Sequence, residues 1–497
     1  MDLFASDVQL LDRIYGQHYD IERPKLILVS CIVAALNGVK GRLAAERPLS
    51  DVGLPFCYEI LQASEKTVMK VAEQFAVFLA DLGLKRVFGV PGTENLPLIE
   101  ALMGQGVDYV LVAHESAAGF MADATAYLTG GLQACVVTRG PGASNLLTGI
   151  ASAHYDNSPV LAITGEVERK RRERFSHQAM DLDALYAPAS KASIYVTAEN
   201  AATMLARAAS IALSEPAGVV RIGLSGAEAG RDSVGQVEAV QVAPVGPPAE
   251  AELERVVSLV SGSERPFLLL GAEVWRARQT GAVARLAEHL GAPVAVTARA
   301  KGVFPESHPL YCGVVSLYQD APIRAVMDRS DLILVVGVNG GEFFVDWKHS
   351  TPVASLSMVK ADPFFQSKAH AQGALDHGIS RLLCLPTRIG WGEAAGRECR
   401  SEIERLFEEK ESSTDALSPQ ATARVLRDSL PLDTIVTSDV GSHKLVVGQI
   451  WRASGPGRFI TSSVVSAMGG GIPAAIAASL EAGTTPVVAV VGDGGSS

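Results

Sequence analysis

Residues 86–165 read RVFGVPGTENLPLIEALMGQGVDYVLVAHESAAGFMADATAYLTGGLQACVVTRGPGASNLLTGIASAHYDNSPVLAITG. Short apolar runs alternate here with longer segments. RVFGVPG reads as strand and turn, LPLIEALMG as helix, DYVLVAH as strand and ESAAGFMADATAYL as helix. QACVVTRG, PGASNLLTGIASAHY and PVLAITG repeat the pattern. Apolar strands alternating with helices predict a parallel sheet covered on both faces.

The rhythm extends outward from this stretch. It starts near Thr67, and Val71, Phe75, Phe78 and Leu79 share one face of a helix within Lys70 to Leu84. Residues 1–65 mix charged and apolar segments without a strand-helix rhythm and form an extension of unknown role. VEAVQVAPVGPPAEAE (237–252) is a linker by composition. RPFLLLGAEV, APVAVTAR, SDLILVVGVNGG and PVASLSM are strands of a second block over 253–400. SEIERLFEEKESSTDALSP (401–419) is a helix running into a second linker. The block at 420–497 holds the strands LDTIVTSDVG and RFITSS, the helix AMGGGIPAAIAASLE and the final strand of PVVAVVGDGG. The predicted fold is α/β, with three successive doubly wound parallel-sheet domains over 66–236, 253–400 and 420–497, the last one incomplete.

A length of 497 residues fits about three domains. Hydrophobic content of 48% and charged content of 20% fit a packed soluble protein. The net charge of −11 excludes a typical nucleic-acid binder. The longest basic run, Arg169-Lys170-Arg171-Arg172, reads as a solvated loop rather than an anion clamp. The apolar stretch Leu26 to Leu36 is too short to span a bilayer and lacks the flanks of a signal peptide. Cysteines 31, 57, 135, 312, 384 and 399 have no metal spacing and read as core thiols in a reducing compartment. These features predict a cytoplasmic chain without a membrane partner.

Chemistry concentrates at strand ends, where ligands bind in parallel sheets. Glu115 follows YVLVAH and begins a helix; a carboxylate there is either a helix cap or a catalytic group. SDVGSH (438–443) offers backbone N–H groups to phosphate. Met468 is a bulky residue among small ones, which by itself reads as core filler. Asp493, between glycines after a buried strand, suits a hard cation bridging to phosphate.

Taken together, VFGVPG (87–92), AHESAAGFMADATAY (113–127), the 138–167 segment, FITSSVVSAMGGGIPAAIAASL (459–480) and VVGDGG (490–495) resemble the thiamine diphosphate-dependent enzymes of the acetolactate synthase and 2-oxo acid decarboxylase superfamily. The resemblance covers residues 66–497. It implies pyrimidine-binding, central and diphosphate-binding domains, in that order. It implies thiamine diphosphate and Mg²⁺ as cofactors and decarboxylation with carboligation of 2-oxo acids, the transferase chemistry that serves branched-chain amino-acid biosynthesis. Glu115 matches the glutamate that hydrogen-bonds the aminopyrimidine so that the thiazolium proton can leave. Met468 matches the residue that wedges the cofactor into its bent shape, and Asp493 the metal ligand. Pro91, Gly441, Ser442, His443, Gly492, Gly494 and Gly495 fall in the cofactor-binding turns. Family sites form between subunits, which implies a homodimer or homotetramer.

Departures from the synthase pattern are specific. Thr93 replaces the second glycine of a PGG turn. Ser176-His177-Gln178-Ala179 stands for AFQE; Gln178 matches, and His177 replaces an aromatic residue. His177 is either a bystander or, as in several decarboxylases, a proton donor, so a 2-oxo acid decarboxylase is the second reading. Leu224-Ser225-Gly226 replaces a lysine-containing turn. Asn339-Gly340-Gly341-Glu342-Phe343 lacks the arginine of FAD-holding synthases, which argues against FAD. The sequence reaches Ser497 before the asparagine that normally follows GDG. The expectations are a truncated chain, an exposed apolar edge at Val491, a poorly packed third block and weak cofactor binding. A catalytically inactive subunit is the non-enzymatic alternative.

Overall fold

The computed structural model describes the backbone of residues 26–30, and residues 69–495 other than 172–173, 175–176, 316–318, 345, 389 and 412–417. The strand β1 (Leu26–Ser30) belongs to the third sheet. The first sheet contains β2 (Arg86–Val90), β3 (Asp108–Leu111), β4 (Gln133–Val137), β5 (Val160–Gly165), β6 (Ala192–Val196) and β7 (Val219–Leu224). Its order is β3-β2-β4-β5-β7-β6, and every pair is parallel. β4, β5 and β7 are buried along their whole length, as central strands covered on both faces must be. Val71, Phe75, Phe78 and Leu79 of the helix Val71–Asp81 fill one face. The helices Glu115–Thr129 and Pro141–Tyr155 cover the other.

Those two helices touch backbone to backbone. A Cβ on Gly119 would lie 2.6 Å from the carbonyl carbon of Gly149, and one on Gly149 would lie 2.3 Å from the Ser116 carbonyl oxygen. This contact sets the spacing between the two helices.

The central sheet holds β8 (Pro266–Leu270), β9 (Val294–Val296), β10 (Tyr311–Val314), β11 (Leu332–Val336), β12 (Val353–Ser357) and β13 (Ala369–Gln372), in the order β10-β9-β8-β11-β12-β13. The helix Gly392–Glu411 packs against β10 through Cys399, Ile403 and Phe407. It is continuous through residues 400 and 401, where the sequence suggested a boundary.

The third sheet contains β14 (Ile435–Ser438), β15 (Phe459–Thr461) and β16 (Val487–Val491), with β1 at its edge, in the order β1-β16-β14-β15. β16 explains its own composition. Side chains alternate across a strand, so Val487, Ala489 and Val491 enter the core shared with the first domain. Val488 and Val490 enter the core shared with the central domain.

Two expectations are corrected here. The edge of β16 is not bare: β1 pairs with it in parallel, from Leu26 opposite Val487 to Ser30 opposite Val491. Nor is this block poorly packed, since β16 is buried throughout. The preface read as lacking strand rhythm thus supplies a strand. The rest of residues 1–65, with Cys31 and Cys57, and Thr67 lie outside the described residues. Cys135, Cys312 and Cys399 are buried free thiols, whereas Cys384 is exposed rather than core. Among the described residues no helix is long and apolar enough to cross a membrane.

Arg299 ties the three domains together. Its Nη1 donates to Asp156 Oδ2 at 3.0 Å and to the Thr461 carbonyl at 3.3 Å, and its Nη2 reaches Asp123 Oδ1 at 3.4 Å. The guanidinium sits over the Tyr127 ring, and the Tyr127 hydroxyl donates back to the Arg299 carbonyl at 2.6 Å. Arg299 is buried, so these partners replace its lost water.

Candidate functional site

Glu115 opens its helix but does not cap it. His114 is the N-cap, and its Nδ1 accepts from the Ser116 N–H at 3.2 Å. Glu115 is buried to 9% exposure, and the Asn145 side-chain amide donates to its Oε2 at 3.0 Å. A Cβ on Gly142 would lie 3.4 Å from Glu115 Oε1, so the 138–142 turn lies against the carboxylate. The capping role is therefore excluded for Glu115. Asn145 was missed in the sequence, where it merely ended a glycine turn. Pro91 leads into the turn after β2, where the Gly92 N–H donates to Asn95 Oδ1 at 2.8 Å.

Sequence departures meet at one place. Arg139 Nη1 pairs with Glu94 Oε1 at 2.6 Å, beside Thr93. Glu94 Oε2 accepts from the Gly226 N–H at 2.8 Å, in the turn that lacks lysine. Arg139 Nε donates to Gln178 Oε1 at 3.4 Å. Gln178 has φ 54 and packs on Gly140, whose own φ is 59 and whose Cβ would lie 2.7 Å from that of Gln178. Arg139 and Gln178 line a cavity of 580 Å³ with Glu166, Met180 and Asp183. His177 is exposed beside it; Ser176 and Arg172 lie outside the described residues. Arg169–Arg171 form a short 3-10 turn with Lys170 and Arg171 exposed, as a solvated loop would be.

The third-domain candidates form a second cluster. Gly441 has φ 145, and Ser442 starts the helix Ser442–Ile450. The His443 ring lies between two glycines: a Cβ on Gly441 would be 2.8 Å from Cε1, and one on Gly492 would be 3.2 Å from it. His443 Nε2 is buried and has no hydrogen-bond partner among the described residues. Burial holds this imidazole below its ordinary pKa. Asp439, missed in the sequence, accepts from the Gly469 N–H at 2.9 Å and joins this loop to the Met468 turn. Met468 is 64% exposed, which excludes the core-filler reading. Its Sδ would lie 3.1 Å from a Cβ on Gly494. Asp493 is exposed and its Oδ1 accepts from the Gly494 N–H at 2.9 Å, while Gly495 lies against Asp439.

An anion at this second cluster would meet a buried, unpartnered ring nitrogen, a helix start and glycine turns without side chains, so the residues fit a diphosphate. Asp493 is the carboxylate available for a bridging cation. Among the described residues no group of three or more metal-ligating side chains is found, so such a cation would draw its other ligands from backbone, phosphate or water. Among the described residues, the contacts of Glu115 given above lie within the first domain, and those of Asp493 within the third.

A third feature lies at the carboxyl ends of β8, β11 and β12: a cavity of 750 Å³ lined by residues including Glu273, Arg276, Arg299, Asn339, Glu342 and Asp362. Glu342 and Glu273 are buried, and burial raises both carboxyls, Glu342 to about 7.

Comparison with known proteins places these clusters in context. Residues 69–187 match the thiamine pyrophosphate enzyme N-terminal TPP binding domain, 253–375 the central domain, and 439–497 the C-terminal TPP binding domain. The acetolactate synthase isozyme 2 large subunit of Escherichia coli is 31% identical over 425 residues, covering 83% of this chain and 76% of that protein. The acetolactate synthase large subunit of Parasynechococcus marenigrum is 32% identical, covering 83% and 70%. The fold is similar to an X-ray structure described as that of a thiamin diphosphate-dependent enzyme from Mycobacterium smegmatis, at a TM-score of 0.74, 23% identity and coverage of 86% of this chain and 84% of that one.

Proposed function

Because the chain belongs to the thiamine pyrophosphate enzyme family, we propose that it binds thiamine diphosphate with Mg²⁺, decarboxylates a 2-oxo acid and transfers the resulting fragment to a second carbonyl compound. The cofactor supplies the carbanion-stabilising ring that this chemistry requires. The protein supplies position and proton control. Gly441, Ser442 and His443 hold the diphosphate, with the His443 Nε2 proton donated to a phosphate oxygen. Asp493 ligates the metal, and Gly492, Gly494 and Gly495 allow the close approach. Met468, exposed at its turn, would support the bound cofactor. Glu115, oriented by Asn145, hydrogen-bonds the pyrimidine ring across a subunit interface. Pro91 shapes the neighbouring turn, and Gln178 faces the substrate.

One observation carries this reading: a buried histidine nitrogen without a partner among the described residues, inside a glycine cradle, on a chain of this family. The resemblance to enzymes whose sites form between subunits supports a homodimer or larger assembly as the active form. Calorimetric titration with thiamine diphosphate and Mg²⁺ tests it. Saturable, Mg²⁺-dependent binding that is lost in His443→Ala is expected; wild-type protein that binds no cofactor at millimolar concentration would refute it.

A second reading, simple 2-oxo acid decarboxylation, is supported by exposed His177 beside Gln178. Product analysis separates the two: a 2-hydroxy-3-oxo acid from carboligation, an aldehyde from decarboxylation alone.

A further inference from the structure

The central sheet has the strand order of two mononucleotide-binding halves, with β10-β9-β8 on one side and β11-β12-β13 on the other. The order reverses between β8 and β11, and the 750 Å³ cavity opens at their carboxyl ends. A dinucleotide cofactor such as FAD puts its pyrophosphate in that crevice, on backbone N–H groups of the glycine turns. In this chain the Gly340, Met358 and Phe364 N–H groups beside the crevice are already taken by the protein's own carboxylates.

Glu273 Oε2 accepts from the Met358 N–H at 2.9 Å, after β12, and Glu273 Oε1 accepts from the Ser357 hydroxyl at 2.9 Å. Asp362 Oδ2 accepts from the Gly340 N–H at 2.7 Å, after β11, and its Oδ1 accepts from the Phe364 N–H at 2.9 Å. Asn339 Oδ1 takes the Gly341 N–H at 2.9 Å. The floor of the crevice is also tightly packed. A Cβ on Gly271 would lie 2.1 Å from the Gly337 carbonyl oxygen, and one on Gly337 would lie 2.5 Å from the Glu273 Cβ. The helix that follows β8, Glu273–Arg276, is four residues long and begins with an acid. The two guanidiniums at the cavity wall are committed as well, Arg276 to Glu215 at 3.0 Å and Arg299 to Asp156 at 3.0 Å.

We infer that the central domain keeps the dinucleotide strand order but excludes FAD and every other pyrophosphate-bearing cofactor, because Glu273 and Asp362 occupy the positions that the phosphates would take. This goes beyond the arginine missing at 339–343: restoring a cation there would not admit the cofactor while Glu273 holds the Ser357 and Met358 donors. A pyrophosphate would have to displace both carboxylates from their N–H partners and then share the site with them. Each charge-assisted bond of this kind is among the stronger ones in proteins.

The test uses the full chain with thiamine diphosphate and Mg²⁺ present, so that the third-domain turn is not the reporter. FAD and ADP are added separately, and amide hydrogen exchange is followed over 271–276 and 337–342. Wild type is expected to show no ligand-dependent protection there and no retained flavin. Glu273→Gly with Asp362→Ser should gain ADP affinity at least tenfold and show protection in both turns. Glu273→Gln keeps the blocking oxygen and should gain nothing. Stoichiometric flavin in wild type, or micromolar ADP binding that protects these turns, would overturn the inference. So would a double variant with a wild-type circular dichroism spectrum and no gain. If the double variant does not fold, Glu273→Gly alone is read by the same criteria, and the wild-type titration is decisive by itself. These readouts require no turnover, so failure here and failure of the proposed activity are separable.

Discussion

The His443 ring occupies the space that a side chain on Gly441 would need: a Cβ there would lie 2.9 Å from Nδ1 and 2.8 Å from Cε1. The pairing is reciprocal. A glycine with φ 145 lets the turn close on the ring, whose Nε2 is buried with no hydrogen-bond partner among the described residues.

Gly441→Ala should therefore push the imidazole out of its cradle. Backbone strain at such a φ costs about 1–3 kcal/mol, so cofactor affinity should fall at least about tenfold. Calorimetry with thiamine diphosphate and Mg²⁺ measures this, with circular dichroism to confirm the fold. Unchanged affinity would remove His443 from the diphosphate site.

Glu115→Gln keeps the size and an acceptor for Asn145 but removes the charge. The expected result is near-normal cofactor binding with exchange of the thiazolium proton into deuterated buffer slowed by about two or more orders of magnitude. Exchange at the wild-type rate would reduce Glu115 to a structural residue.

Arg139→Met should lower kcat/KM for the 2-oxo acid about tenfold while leaving thiazolium exchange alone. Arg139 holds Gln178 and pairs with Glu94, whereas Glu115 has separate contacts. A loss confined to cofactor affinity would contradict the assignment of this cluster to the substrate side.

Burial lifts the Glu342 carboxyl to about 7, above its ordinary 4.5, with Arg299 pulling the other way. The folded state thus holds this proton more tightly than the unfolded chain. The stability it adds is complete below about 4.5 and is lost as the pH rises through 7, a change of roughly 3 kcal/mol. Glu342→Gln, which mimics the neutral form and can still accept from the Arg299 N–H, should melt higher than the parent at pH 8 and level with it at pH 4.5. Scanning calorimetry at the two pH values decides, and equal melting at pH 8 would contradict the shift.

Arg299→Met should be costly at every pH. It strands Asp123 and Asp156, both buried, at the junction of the three domains. Breaking one side of a buried ion pair costs roughly 3–5 kcal/mol. Urea unfolding should show a lower midpoint or a separate early transition for the third domain; an unchanged curve would mean that the junction carries no stability.

The domain order was legible because strands such as PFLLL and LILVV are buried along their whole length and wholly apolar. Edge strands were less so. β13, AHAQ, has no β-branched residue, and β10, YCGV, contains a glycine; both pair on one side only. β6 and β7 were also left unread. The site was legible where one residue type is required, as at the glycines of GDGG. It was not legible where function depends on a partner far along the chain. Asn145 meets Glu115 because two helices cross. Asp439 meets Gly469 because two loops of the third domain converge, and nothing in SDVGSH announces that. Likewise Glu94 reaches Gly226 only once β2 and β7 share a sheet.

The backbone contact at Gly119 and Gly149 has a cost for the molecule's capacity to change. Neither glycine meets a ligand-binding atom in the contacts described, yet each lies on a helix whose first turn carries the candidate chemistry. Any side chain at either position would pry the helices apart and swing Glu115 away from the turn at Gly142. Drift in substrate preference can proceed through exposed positions such as His177 and Gln178. At these two buried positions the spacing is written in missing atoms, which leaves selection nothing smaller to try.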